Sequence, residues 1–84
     1  MMQRKQKCEI ETRTFPQIWD SLSQDERDDL TLRLYAAKCC RTRQSIWEWA
    51  SGKGQPGAML VRDTVAKTVS KFIGRKSTPQ TLFP

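Results

Sequence analysis

Apolar residues recur along this chain with a period near four, in blocks separated by short polar breaks. The first block follows Thr14, with Pro16 in an opening helical turn and Ile18, Trp19 and Leu22 spaced for one face, which predicts a short helix over 15–22. Ser23 and Glu26 stand three apart in the capping-box spacing, each side chain suited to the other's free amide. Asp25, Glu26, Asp28 and Asp29 then crowd a first turn, where acids complement the helix dipole. Leu30, Leu34 and Ala37 form one stripe and Leu32, Tyr35, Ala36 and Cys39 its neighbour, which predicts a helix over 24–38 with a wide apolar face. A third helix starts at Arg43 after the N-cap Thr42, with Ile46, Trp49 and Ala50 at i, i+3 and i+4, and ends where Gly52 favours a left-handed cap and Pro56 prevents re-entry. Beyond the loop composition of 51–57, Val61, Val65, Val69 and Phe72 sustain a helical period that outweighs the β-branched residues among them, predicting a helix over 58–73 closed by Gly74.

The expected fold is therefore an all-α, compact four-helix domain over 14–74, the second and third helices joined so tightly that they must cross steeply. Residues 1–13 read as a flexible basic arm, although Cys8, Ile10 and Thr12 alternate with charged residues in the manner of a short strand. Residues 75–84 read as an irregular tail. Its ending, Leu82-Phe83-Pro84, is oddly apolar for a segment in water: it docks on its own domain, pairs with a second subunit or meets a partner.

Charge narrows the class of partner. Fifteen basic residues against nine acidic leave a net +6 on 84 residues, an excess that favours a polyanion, since each neutralised phosphate releases counterions. No apolar run approaches the ~18 residues that span a bilayer, and the basic start has no apolar stretch behind it, so a cytoplasmic protein with no membrane contact is expected. Cys8, Cys39 and Cys40 make neither an even framework nor a Cys-x-x-Cys pair, and Cys39 and Cys40 read as small packing residues in a reduced compartment. With no histidine, no glycine-rich loop after a strand and acids explained by capping, no enzyme, metal or cofactor is expected.

The third helix carries the chemistry. Opposite its apolar stripe lie Gln44, Trp47, Glu48 and Ser51, with Arg43 at the margin, a set suited to reading base edges in a major groove. The stretch from Tyr35 to Pro56 resembles the helix-turn-helix of the phage Cro and repressor family. Ala36 matches the small residue where two helices cross, Cys40 stands at the turn glycine, Ile46 and Trp49 match the buried pair, and Gly52-Lys53 with Pro56 is similar to the family's ending. Arg41 departs from it, standing where an aliphatic residue is normally buried, and Cys40 asks a residue with a side chain to take a turn that glycine makes more easily. The ending Thr81-Leu-Phe-Pro84 also resembles small helix-turn-helix proteins of Bacteroidetes mobile elements.

The resemblance implies a bacterial or mobile-element transcriptional regulator that binds double-stranded DNA, usually as a homodimer, with the helix at 42–51 as its recognition helix. Arg43 would address guanine and Gln44 adenine, while Thr42, Ser45, Lys38, Arg41 and Lys53 would hold phosphates. Ser51 completes the outward set. Trp47 either presses on a thymine methyl or folds over the domain edge, and Glu48 either accepts from cytosine or orients an arginine. Two alternatives stand beside this reading. One is a protein-interaction module using the fourth helix and the apolar tail. The other is an excisionase-like winged helix, which requires a β-hairpin over about 57–66.

Overall fold

The structure, a computed structural model, describes residues 10–40 and 42–84. Five helices follow in order: α1 (Phe15–Ser21), α2 (Gln24–Ala36), α3 (Arg43–Ser51), α4 (Met59–Ile73) and α5 (Pro79–Leu82). The fold is all-α. Among the described residues the only β pairing is an isolated parallel bridge between Ile10 and Lys76. The hairpin that a winged helix needs is not formed, because residues 59–73 are helical.

Side-chain acceptors fix where the helices start. Thr14 Oγ1 accepts from the Gln17 amide at 3.4 Å while Gln17 Oε1 accepts from the Thr14 amide at 2.9 Å, and Ser23 and Glu26 exchange the same two bonds at 3.3 and 2.8 Å. Thr42 caps α3 through the Ser45 amide at 3.4 Å. Gly52 ends α3 at φ 80°, the left-handed conformation that glycine takes without a Cβ clash.

The end of α2 departs from expectation. It stops at Ala36 rather than Lys38, because the chain turns there to carry Cys39 into the core. Lys38 adopts φ 61°, and the amides of Lys38 and Cys39 reach back to the carbonyls of Tyr35 and Leu34 at 2.9 and 3.0 Å, a Schellman pairing. The left-handed residue of the turn is therefore Lys38, not Cys40. With the link to α3 lengthened, α3 packs against α1, while α2 packs against α4. Ala36, expected at a close crossing of the second and third helices, is exposed instead.

One core joins all five helices, drawing on Phe15 and Ile18, Leu30 and Leu34, Ile46 and Trp49, Val65 and Val69, and Leu82 with Phe83. The tail is not irregular. Thr78 caps α5 through the Thr81 amide at 3.2 Å, and Phe83 lies stacked on Phe15 at 5.7 Å and edge-on to Trp49 at 6.1 Å. The terminal apolar pair thus completes its own domain's core.

Residues 1–9 of the expected arm lie outside the described residues, but its end is fastened. The Glu11 amide donates to the Lys76 carbonyl at 2.8 Å. The Glu11 carboxylate, 2% exposed, accepts from the amides of Thr12 and Arg13 and from the Arg13 guanidinium at 2.8 to 3.1 Å, with Arg75 Nη1 at 3.9 Å. The Arg13 hydrogen bond, outweighing burial, holds its pKa at about 2.

Candidate nucleic-acid interface

Helix α3 is amphipathic in the sense its spacing predicts. Ile46, Trp49 and Ala50 are buried, Thr42, Arg43, Gln44, Trp47, Glu48 and Ser51 are exposed, and Ser45 is half-buried beneath the cap. Lys53 is exposed just past the helix and Lys38 on the turn before it, while Arg41 lies outside the described residues. The members of the predicted set that lie on α3 thus share one side of the helix, with Lys38 and Lys53 beyond its two ends.

The loop after α3 folds back on that face. The Glu48 carbonyl accepts from the amides of Lys53 and Gly54 at 3.0 and 3.2 Å and from the Ser51 hydroxyl at 3.2 Å. This places Lys53 Nζ 4.9 Å from the centre of the Trp47 ring, a cation–π contact that keeps the ammonium beside the indole. Gln44 Nε2 donates to Glu48 Oε2 at 3.4 Å, so the glutamate steadies the glutamine. Gln44 must rotate away from that carboxylate before both ends of its amide can meet adenine.

Trp47 folds partly over the domain edge. One part of the ring closes a pair of shallow hollows against Trp19, of about 170 and 160 Å³, and the residue is still 52% exposed. Trp19 is in turn held by Arg27, whose Nε donates to the Trp19 carbonyl at 3.0 Å and whose guanidinium lies 5.8 Å from the ring centre. These hollows also bring Asp20 and Asp28 to the edge of α3, Asp28 lining the one that contains Arg43. The start of α3 therefore borders Asp28, and its later part borders Asp20 and Arg27. Neither Trp19 nor the two aspartates is marked by any local pattern, because only the packing of α1 and α2 beside α3 places them there.

The two cysteines next to the turn are unsuited to chemistry. Burial pushes both thiols above their ordinary pKa, and for Cys39 the neighbouring Cys40 adds to the shift, so neither is a ready thiolate. Among the described residues, no helix is long and apolar enough to cross a membrane. Comparison with protein-family profiles, curated proteins and solved structures returned no match.

Proposed function

We propose that this domain binds double-stranded DNA by laying the exposed face of α3 along the major groove, as a transcriptional regulator would. One observation carries the reading: Arg43, Gln44, Trp47 and Ser51 are all presented to solvent by a helix whose opposite side is locked into the core. A reading helix must be rigid and must offer planar hydrogen-bonding groups to base edges, and α3 combines both. Lys38 and Lys53, exposed beyond its two ends, suit the phosphates that flank a groove. The likeness to Cro and repressor domains at Ile46, Trp49 and the Gly52-Lys53 and Pro56 ending supports the same function. The reading does not depend on the close crossing at Ala36, since α1 supports α3 here.

In this account Arg43 is the main base-reading residue. Arg43→Ala is expected to leave the circular dichroism spectrum unchanged and to weaken a selected site by about 1–3 kcal/mol while relaxing one base position. Fluorescence anisotropy on the selected duplex and on single-base variants reads both effects. An equal loss on every sequence would mean that Arg43 holds only phosphate, and no loss would remove α3 from the interface.

A second reading has its own observation. The hollows where Trp47 meets Trp19 set Asp20 beside Arg27 and Asp28 beside Arg43, aromatic groups with balanced charge, a surface that also suits a protein segment. Direct competition separates the two: duplex DNA displaces a partner only if both use the same face of α3.

A further inference from the structure

A further concavity lies away from α3. A groove of about 480 Å³ runs between α4 and the start of α5, its lining mainly apolar surface that includes Ala66 and Pro79. Lys67, Lys71 and Lys76 stand around it, exposed, against a single carboxylate, Asp63, which pairs with Lys67 at 3.3 Å. Ser77 also lines it, with a buried hydroxyl that has no hydrogen-bond partner.

The complement of that groove is on the same chain. Asp25, Asp28, Asp29, Leu32 and Ala36 share the outer face of α2, all five are exposed, and Asp29 pairs with the exposed Arg33 at 3.2 Å, which leaves three carboxylates against one cation there. Leu32, at 64%, is one of the most exposed large apolar residues in the molecule, and the three carboxylates precede it within two turns. The opposite face of α2, with Leu30 and Leu34, is buried in the core, so Asp25, Asp29, Leu32 and Ala36 point away from the molecule that bears them, while Asp28 stands at the border with α3.

We propose that the α4–α5 groove is a self-association site that takes the outer face of α2 from a second copy, with Leu32 in the apolar channel and Asp25, Asp28 and Asp29 facing Lys67, Lys71 and Lys76. Opposed charge and matched apolar surface favour this occupant over DNA, whose phosphates would meet the lysines but leave the apolar floor uncovered. The contact is head-to-tail, groove on one copy and ridge on the next, so each chain carries both halves. It uses no α3 residue, and its main readout is the mass of the protein alone, so it fails or holds separately from the DNA reading.

Sedimentation velocity over a concentration series tests it. The wild-type chain is expected to rise from the monomer mass of 9.8 kDa toward twice that or beyond, less steeply as salt is added. Lys67→Glu with Lys71→Glu disables the groove, and Asp28→Lys with Leu32→Ser disables the ridge. All four positions are outside the core, so both variants should keep the wild-type circular dichroism spectrum while remaining monomeric. An equimolar mixture of the two variants restores one working groove and one working ridge, and it should associate again but stop at two chains. A wild-type chain that stays monomeric throughout, variants that associate as the wild type does, or a mixture that fails to recover would each overturn the proposal. So would a groove variant whose only change is weaker binding to a duplex, which would assign the lysines to phosphate.

Discussion

Replacing Glu11 by glutamine removes one negative charge from a site that ties residues 10–13 to the link between α4 and α5. The size of the effect follows from the carboxylate's partners. Its pKa is lowered from 4.5 to about 2, chiefly by the Arg13 hydrogen bonds, and at 1.36 kcal/mol per unit that is at most about 3.4 kcal/mol of preference for the folded state. Arg13 and Arg75 are 39% and 48% exposed, so solvent screens both partners and about 2 kcal/mol is the better expectation. A depressed carboxylate pKa contributes stability that is complete above the unfolded value and is lost as pH falls toward the folded one. The deficit of Glu11→Gln should thus be full at neutral pH and shrink as pH falls from about 4.5 toward 2. Urea denaturation read by tryptophan fluorescence suits the measurement, because Trp49 packs in the core against Phe15 and Phe83. Equal midpoints at neutral pH, or a deficit of constant size down to pH 2.5, where most of it should be gone, would refute the reasoning.

Two further substitutions probe the features that depart most from a simple helix count. Phe83→Ala should lower stability by about 3 kcal/mol, because it removes a buried ring stacked on Phe15 and edge-on to Trp49, and a thermal melt that does not move would mean the tail is not part of the core. Lys38→Gly should raise stability by about 0.5–1 kcal/mol, since glycine takes φ 61° without the Cβ penalty that lysine bears. A loss on that change would show that the lysine side chain, rather than the turn, dominates the position.

The helices were legible to differing degrees, for identifiable reasons. The starts of α1, α2 and α3 could be read because Thr14, Ser23 and Thr42 announce caps that the structure fills. The extent of α4 could be read because Val65 and Val69 keep a helical period into the core despite their β-branching. The end of α2 could not, since a lysine in the left-handed region has no sequence sign and a continuing apolar stripe through Cys39 points the other way. Helix α5 carries a Thr78-Pro79 start like that of Thr14 and Pro16, but four residues are too few for a period to show. Glu11 looked like one charge in a basic arm because Lys76 and Arg75 reach it only through the fold. At the candidate site, the inward and outward residues of α3 follow from spacing alone. Trp19, Asp20 and Asp28 reach its edge through tertiary packing.

The central claim is that the exposed face of α3 meets DNA, and an NMR titration of isotopically labelled protein with a short duplex at two salt concentrations tests it most directly. The account predicts shifts that weaken at higher salt and centre on Arg43, Gln44, Trp47, Ser51 and Lys53, with Leu82 and Phe83 unmoved in the core. Silence on α3, or shifts confined to residues 63–79, would contradict it.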